Sequence, residues 1–204
     1  MAEAIKKIVI VGGGTTGWMA AASLSRYIAD KDISVTLIES PDIGAVGVGE
    51  ATIPNIVAFN KELGIDEVEL IKATQATFKL GIEFKDWHKR GERFFHPFAD
   101  YGLKIDNVEF HHYVNRMKAE GVDVNLQDYS FACALAKEGR FAQPNAGPQS
   151  PLADYSYAYH FDASLYAKFL NKFSVKNGIE HISANVCAVN LNNVSGFIES
   201  VTLE

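Results

Sequence analysis

Three glycines near the amino terminus have the spacing of a dinucleotide-binding loop. In the segment GGGTTG, Gly12, Gly14 and Gly17 fit the pattern GxGxxG. The first glycine permits a tight turn, the second lets the backbone approach a pyrophosphate, and the third lets a helix pack closely on a strand. The amino terminus of such a helix offers amide donors and a partial positive charge to an anion. The predicted pyrophosphate-binding residues are Gly12, Gly13, Gly14, Thr15, Thr16 and Gly17.

An acidic residue follows at the end of the next predicted strand. Glu39 lies 22 residues beyond Gly17, where dinucleotide-binding folds place an acceptor for the hydroxyls of the adenosine ribose. An acid here normally accompanies an unphosphorylated ribose, so FAD or NAD is favoured over NADP. The motif alone does not choose between FAD and NAD, and the same glycines could form a tight turn without a ligand.

Lys79 lies inside the alternating segment TFKLGIEF, residues 77–84. On a single strand, the four apolar residues of this segment would take one face, and Lys79 and Glu83 would take the other. Because lysines are seldom fully buried, the pattern alone favours Lys79 on a solvated strand face. Any chemical role for this amine therefore needs support from another part of the sequence.

The elements that must position these residues alternate between strand and helix. Residues 5–11 form a nearly continuous β-branched run, which is typical of a strand buried on both faces of a parallel sheet. The Ala-rich segment after the glycines predicts a helix, and residues 34–40 predict a second strand. Together they predict a βαβ unit.

The rest of the chain predicts further helices joined by long loops. Helices are expected from Pro54 to before Gly64, and at 66–76, 109–120, 128–138 with Asp128 as N-cap, and from Asp162 to Gly178. Loops are expected at 40–53, 90–107 and 140–157. Two or three strands joined by an Asn/Ser/Gly turn are expected from residue 179 to the end.

Composition excludes several functional classes. With 19 Lys and Arg against 25 Asp and Glu, the net charge of −6 argues against a nucleic-acid surface. No apolar run reaches the roughly 18 residues of a membrane span, and Cys133 and Cys187 form no CxxC pair, so a reducing cytoplasm is expected. Cys187 is interpreted as a buried small residue. The spacing of the histidines, His181 included, predicts no metal site.

Three segments together resemble one enzyme family. GGGTTGWMAA (12–21), GVGEATIP (47–54) and FKLG (78–81) occur in the order and spacing of the flavin-dependent tryptophan halogenases. The resemblance extends to FHPF (95–98) and AYHFDASLYAKFL (158–170). It implies an α/β fold, the FAD/NAD(P)-binding Rossmann-like fold of the flavin monooxygenase type, with FAD as the cofactor.

The resemblance also implies an activity. Members of the family use reduced FAD and dioxygen to oxidise a halide ion, chloride or bromide, to hypohalous acid, and then halogenate an electron-rich aromatic ring, commonly an indole. A separate flavin reductase supplies the reduced FAD as a transient partner. A homodimer is left open as the oligomeric state.

Lys79 matches the essential lysine of this family. There, a lysine at the end of a reagent tunnel could donate a hydrogen bond to hypohalous acid or form a haloamine, and so hold the halogen near one ring carbon. Either role suits a desolvated amine, because burial lowers the pKa of a lysine. The resemblance therefore reverses the surface interpretation of Lys79.

Other positions carry family roles of cofactor and substrate binding. The GVGEATIP loop is expected beside the isoalloxazine ring, and Val186 is expected on the adenine side of FAD. His96 and Phe98 match the H-x-F pattern of an aromatic substrate site, where flat side chains can stack on an indole. Pro97 between them departs from the pattern and weakens the expectation of free tryptophan as substrate. The loop residues assigned to the flavin are Gly49, Glu50 and Ala51.

Two family features are absent from these 204 residues, a GWxWxIP motif and a glutamate that works with the lysine. We therefore expect residues 1–204 to be the N-terminal part of an FAD-binding halogenase domain, incomplete at the C-terminus, with a substrate-side insertion at about 85–160. This part alone is expected to be inactive. The alternatives are an FAD-dependent monooxygenase or oxidoreductase without halide chemistry, which would not need Lys79, and a degenerate FAD-binding module.

Overall fold

The computed structural model describes residues 5–43, 50–144 and 155–204. Contacts divide the chain into two units. The first unit comprises Met1–Glu50, Phe59–Thr77 and Phe161–Glu204, and the second comprises Ala51–Ala58 and Phe78–His160.

The helices and strands follow in chain order. They are β1 (Lys7–Val11), α1 (Thr15–Tyr27), β2 (Ser34–Glu39), β3 (Glu50–Ala51), α2 (Asn55–Glu62), α3 (Glu67–Thr74), β4 (Thr77–Lys79), β5 (Gly81–Lys85), β6 (Arg93–Pro97), α4 (Phe110–Ala119), a 3₁₀ turn (Leu126–Tyr129), α5 (Phe131–Lys137), β7 (Ala158–Phe161), α6 (Ala163–Lys176), β8 (Glu180–Ser183), β9 (Val186–Leu191) and β10 (Ile198–Leu203).

A parallel sheet organises the first unit. Its strand order is β1-β2-β8, with Val9 beside Thr36 and Leu37 beside His181. Strand β1, helix α1 and strand β2 form the predicted βαβ unit. Because all three strands run in the same direction, their carboxyl ends meet at one edge of the sheet.

Strand β1 is less buried than the sequence predicts. Ile8 and Ile10 are half-buried, whereas Val9 and Val11 are 51% and 58% exposed. The expectation of burial on both faces is therefore wrong for the residues that the structure describes. In the described sheet β1 pairs only with β2. The alternation of half-buried and exposed side chains along β1 is that of a strand with one covered face.

Helices α1, α6 and α3 pack together in the first unit. Trp18, Leu70, Tyr166 and Leu170 are each at most 1% exposed and form the centre of this packing. Asp162 is the N-cap of α6 as predicted, since its Oδ1 accepts a hydrogen bond from the Leu165 amide at 3.0 Å. The first unit thus has a closely packed helical layer, with α6 beside α1.

Strands β9 and β10 form the antiparallel hairpin predicted for the final segment. Its turn contains Gly196, with φ at +71°, and Asn192, whose side chain accepts hydrogen bonds from the following amides. Cys187 on β9 is exposed, and its thiol donates to the Thr202 carbonyl at 3.4 Å. The interpretation of Cys187 as a buried residue is wrong, because β9 pairs only with β10 in the described chain and leaves most of its side chains in solvent.

The second unit contains most of a three-stranded sheet, of order β3-β7-β4, and the antiparallel hairpin β5-β6. The single strand predicted over 77–84 is broken at Leu80, because β4 pairs with β7 and β5 pairs with β6. Lys79 and Leu80 are therefore buried in succession, at 6% and 7% exposure. Strand β6 also replaces part of the loop predicted at 90–107.

The helix predicted at 128–138 begins later than expected. Asp128 lies inside the 3₁₀ turn, and α5 starts at Phe131. Asn125 caps the 3₁₀ turn instead, by accepting a hydrogen bond from the Gln127 amide at 3.1 Å. Asp128 is thus not an N-cap, because the chain closes a separate tight turn before α5.

Among the described residues, the helices are all too short or too polar to pass through a lipid bilayer.

Candidate functional site

A cavity opens at the carboxyl edge of the parallel sheet in the first unit. Its volume is about 880 Å³, and it contains the last residues of β1, β2 and β8 together with the glycine loop. Ligands of open α/β sheets bind at this edge. The lining residues are Val11, Gly12, Gly13, Gly14, Trp18, Ile38, Glu39, Ser40, Pro41, Ile43, Ser164, Ala167, Lys168, Asn171, Ser183, Ala184, Asn185 and Val186.

The glycine loop has the geometry that each glycine was expected to provide. Gly12 has φ at +112°, and its amide donates to the Ile38 carbonyl at 2.8 Å, which ties the loop to β2. A Cβ on Gly17 would lie 1.9 Å from the Gly12 carbonyl oxygen. A Cβ on Gly14 would meet nothing within 4 Å. Gly12 thus permits the turn and Gly17 permits the close contact between helix and loop, whereas Gly14 leaves open space at the cavity.

Helix α1 begins beside this cavity. Gly14 is its N-cap, has no side chain to cap the helix, and accepts a hydrogen bond from the Trp18 amide at 3.1 Å. The amides of Thr15 and Thr16 belong to the first turn, where a helix supplies no internal carbonyl acceptor. The first turn also carries no acidic residue. An anion can therefore take these donors, and the residues present fit the diphosphate of a dinucleotide.

Glu39 lies at the cavity with both carboxylate oxygens contacted. His181 Nε2 is 2.8 Å from Oε1, and Trp18 Nε1 donates to Oε2 over 3.4 Å. A Cβ on Gly13 would lie 1.5 Å from Oε2, so the Glu39 side chain occupies the space above Gly13. The structure thus brings the predicted ribose acceptor against the predicted glycine loop.

Two members of this cluster were missed by sequence reasoning. Trp18 follows the glycine motif directly and could have been considered on that ground. His181 is about 140 residues from Glu39 in sequence, and only the parallel pairing of β8 with β2 brings them together. No local signal in the sequence indicates that contact.

The other residues predicted to bind the cofactor do not all lie at this cavity. Val186 lines the same cavity as Gly12 and Glu39. Glu50 and Ala51 form β3 and do not line that cavity. Gly49 lies outside the described residues. Beyond the placement of Val186, the expectations for the flavin ring stay predictions.

Lys79 is the chemically notable residue of the second unit. It is 6% exposed, and its Nζ donates to the Thr52 carbonyl oxygen at 2.7 Å. Among the described residues, no carboxylate forms an ion pair with this amine. Burial lowers its pKa from 10.5. The alternative interpretation of Lys79 as a solvated surface residue is therefore wrong.

An aromatic face lies next to the amine. The Lys79 Nζ is 5.4 Å from the centroid of the Phe98 ring, within the range of a cation–π interaction. The Phe98 amide donates to the Leu80 carbonyl at 2.8 Å, and the Phe98 carbonyl accepts from the Ser156 amide at 2.7 Å. These two bonds fix the backbone of Phe98. The structure thus places the predicted substrate residue Phe98 beside the predicted catalytic residue.

His96 has a more open position than Phe98. It is exposed on β6, opposite Ile82 of β5. The pKa of His160 on β7 lies below its ordinary 6.5, first because of desolvation and second because of the nearby Lys79 cation. The positive charge of Lys79 is therefore close enough to His160 to affect its protonation.

Further aromatic rings surround β4. Phe78 stacks on Phe141, with centroids 3.6 Å apart, and meets Tyr157 edge-on at 5.6 Å. A separate open cavity of about 730 Å³ in this unit contains Cys133 and Gln127 but none of the predicted substrate residues. In the part of the chain that the structure describes, no group of three or more His, Cys, Asp or Glu side chains could hold a metal ion.

Comparison with known proteins identifies the family. The family model described as tryptophan halogenase matches residues 7–204. The chain belongs to the tryptophan halogenase family. This confirms the family predicted from GGGTTGWMAA, GVGEATIP and FKLG, and the α/β fold that the resemblance implied.

Named relatives give the same result. The chain is 36% identical over 215 residues to the 7-chloro-L-tryptophan 6-halogenase KtzR of Kutzneria sp. (strain 744), covering 95% of this chain and 40% of that protein. It is 37% identical over 219 residues to the tryptophan 7-halogenase RebH of Lentzea aerocolonigenes, covering 98% and 40%. The chain thus spans about two fifths of the length of these halogenases.

A solved halogenase structure also matches the fold. BrvH, a flavin-dependent halogenase from Brevundimonas sp. BAL3, superposes with a TM-score of 0.91 at 40% sequence identity, over 98% of this chain and 39% of that chain. Similarity at this level extends to backbone detail, and the fold is the FAD-binding Rossmann-like fold of the flavin-dependent halogenases. Fold alone does not assign chemistry, which depends on the residues of the two sites.

Proposed function

We propose that this chain is the part of a flavin-dependent halogenase that binds FAD and carries the lysine which directs the halogen to an electron-rich aromatic substrate. The observation that carries the proposal is Lys79, a buried amine without a carboxylate partner among the described residues, beside the ring of Phe98. An uncompensated buried cation is costly, and such groups occur mainly where chemistry requires them.

The residues around the first cavity support FAD as the cofactor. Gly12–Gly14 and the first amides of α1 would hold the pyrophosphate, and Glu39 would accept hydrogen bonds from the ribose. Val186 would contact the adenine side. When bound in reduced form, supplied by a separate flavin reductase, FAD with dioxygen provides the oxidising equivalents that convert chloride or bromide into hypohalous acid.

Lys79 would act on the hypohalous acid. An ammonium has three hydrogens, and one of them is engaged by the Thr52 carbonyl at 2.7 Å. A second hydrogen could be donated to the hydroxyl oxygen of the hypohalous acid, which would make the halogen more electrophilic. The Thr52 bond holds Nζ in one position, so the reagent would be held in one position as well.

The same amine could act covalently when it is neutral. The nitrogen lone pair would attack the halogen, the oxygen–halogen bond would break, and water would leave with the amine proton, giving a haloamine. The aromatic ring would then attack the halogen, and the amine would be restored as the ring loses its proton. The lowered pKa of Lys79 increases the neutral fraction at any given pH and so favours this route.

The aromatic surroundings and the relatives support the proposed substrate class. Phe98 presents a ring near Nζ, and flat rings stack on indoles and related aromatics. KtzR and RebH are named as halogenases of tryptophan substrates. We therefore propose an indole-like substrate for the complete enzyme, acting in the cytoplasm, while Pro97 argues against simple transfer of free tryptophan from those relatives.

The test uses the longest natural form of the protein. It is supplied with FAD, a flavin reductase system, oxygen and either bromide or chloride, and offered a panel of indoles and phenols. Halogenated products are detected by mass spectrometry through their isotope patterns. The variant is Lys79→Met, and the matched control is Lys85→Met, which removes an exposed lysine of the neighbouring strand β5.

Halogenated product is expected from the wild type and from Lys85→Met, and not from Lys79→Met. Flavin oxidation should continue in all three proteins, because the amine acts after the oxidation of halide. Product formation that survives in Lys79→Met would refute the role of the lysine. Hydroxylated products from the wild type would refute halogenation and indicate a monooxygenase.

A further inference from the structure

We propose that His181 is a positioning residue that holds the Glu39 carboxylate in the orientation needed to accept the hydroxyls of the cofactor ribose. This inference rests on the proposed FAD site. His181 does not itself line the cavity, whereas Glu39 does. Any effect of His181 on the ribose must therefore pass through Glu39.

The strand pairing explains why His181 reaches Glu39. His181 on β8 lies beside Leu37 on β2, and Ser183 lies beside Glu39. Side chains two residues apart on a strand share a face, so Leu37, Glu39 and His181 project from the same face of the sheet. His181 is a diagonal neighbour of Glu39, and such neighbours are within reach of long side chains.

The Glu39 carboxylate is held at both oxygens by different elements. His181 Nε2 is 2.8 Å from Oε1, and Trp18 Nε1 of α1 lies 3.4 Å from Oε2. Both Glu39 and His181 have side chains that are 27% exposed, so their contact is partly shielded from water. The shorter contact is the one made by His181, and it is the stronger constraint on the carboxylate.

The imidazole of His181 is itself held in place. Its ring meets Trp18 edge-on, with centroids 5.1 Å apart and planes at 77°. Its Nδ1 lies 3.5 Å from the Asn171 side-chain amide nitrogen, which is a donor. With Nδ1 as the acceptor, Nε2 carries the hydrogen and donates it to Glu39. Asn171, His181 and Glu39 thus form a chain of hydrogen bonds from α6 to the cavity.

The expected consequence is pre-organisation of the acceptor. Each carboxylate oxygen has a second lone pair after it accepts from His181 or Trp18. A carboxylate that is already fixed loses less side-chain freedom when the two vicinal ribose hydroxyls bind. Without His181 the carboxylate would turn freely about its side-chain bonds, and FAD binding should weaken by about tenfold.

The test is a double-mutant cycle on FAD affinity in the longest natural form of the protein. The dissociation constant for FAD is measured by calorimetry for the wild type, His181→Ala, Glu39→Ala and the double variant. A second substitution, His181→Gln, restores a side-chain amide donor and serves as the conservative rescue. Circular dichroism and thermal unfolding check that each variant is folded.

If His181 acts through Glu39, His181→Ala weakens binding about tenfold in the wild-type background and has no further effect in the Glu39→Ala background, where the acceptor is gone. His181→Gln should recover most of the loss. An equal loss in both backgrounds would show that His181 only supports the packing around Trp18, and would overturn the inference. Unchanged affinity in His181→Ala would also overturn it.

The outcome for the wild type separates this inference from the proposed function. If the wild type binds FAD and only the coupling is absent, the positioning role fails and the FAD site stands. If the wild type does not bind FAD, the FAD site itself fails and the role of His181 fails with it.

Discussion

Gly17→Ala should destabilise the fold although it adds a better helix former. Gly17 is the third residue of α1, where alanine in place of glycine would ordinarily stabilise a helix by about 1 kcal/mol. Here the new Cβ would lie 1.9 Å from the Gly12 carbonyl oxygen, and real contacts under 3.0 Å are essentially never seen. The helix and the glycine loop must therefore separate by about 1.1 Å.

The obstacle is backbone, which cannot rotate away as a side chain could. Overpacking of this kind costs about 3 kcal/mol, so after the gain in helix propensity a net loss of about 2 kcal/mol remains. Gly12 would be displaced from its hydrogen bond to the Ile38 carbonyl as the loop moves. The variant should therefore lose both stability and FAD affinity.

Gly14→Ala is the matched control. Its Cβ would meet nothing within 4 Å, and its φ of −67° is accessible to alanine. The small cost of alanine at an N-cap and the gain from a less flexible unfolded chain nearly cancel, each being about 0.5–1 kcal/mol. The fold should keep its stability, while the methyl group narrows the space for a pyrophosphate.

The assay combines chemical unfolding with FAD titration on the longest natural form of the protein. Gly17→Ala should unfold at lower denaturant than the wild type, and Gly14→Ala should unfold at the same concentration but bind FAD at least about tenfold more weakly. A Gly17→Ala protein as stable as the wild type would refute the argument from the Gly12 contact. Undiminished FAD binding in Gly14→Ala would refute the placement of the pyrophosphate.

Three further outcomes follow from local geometry. Asp162→Ala removes the acceptor of the Leu165 amide and should lower the free energy of unfolding by about 1 kcal/mol, measured by urea titration. Burial raises the pKa of Tyr166 above 10.0, and its hydroxyl donates to Asn60 Oδ1 at 2.7 Å. Because the phenol of Tyr166 ionises at lower pH in the unfolded chain than in the folded protein, the free energy of unfolding should fall as pH rises above 10.0. The urea midpoint should therefore fall less steeply with pH in Tyr166→Phe than in the wild type. The pKa of Lys79 is lowered from 10.5, so, if its ammonium acts by hydrogen-bond donation, the halogenation rate should fall as pH rises, with an alkaline limb below 10.5. A limb at or above 10.5 would contradict the hydrogen-bond route.

Local chemistry made part of this structure predictable. The glycine loop, the βαβ unit and the Asp162 cap each depend on residues close together in sequence, so their signals are complete within a short window. The break at Leu80 was not predictable in the same way, because β4 and β5 pair with different strands. A continuous alternation gives no sign of such a change of partner.

The same distinction between local signals and long-range contacts applies to the candidate sites. Types and spacing, with the family resemblance, selected Lys79 and Glu39, but not what surrounds them. The burial of Lys79 depends on the sheet that contains β4 and on the carbonyl of Thr52, 27 residues earlier. The contact between Glu39 and His181 depends on the pairing of β2 with β8. Such environments arise only when distant elements pack.

The acceptor for the Lys79 amine belongs to the main chain. Three hydrogen bonds hold Thr52, which provides it, to Tyr159. The Thr52 amide and hydroxyl donate to the Tyr159 carbonyl at 3.0 Å and 2.8 Å, and the Tyr159 amide donates to the Thr52 hydroxyl at 3.0 Å. Substitution of the Thr52 side chain would remove the two bonds that involve its hydroxyl and leave only the bond from its amide, so the carbonyl would be held less firmly. If Lys79 has the proposed role, directed evolution could vary neighbouring aromatic side chains such as Phe98 without changing this acceptor, provided that Thr52 is kept.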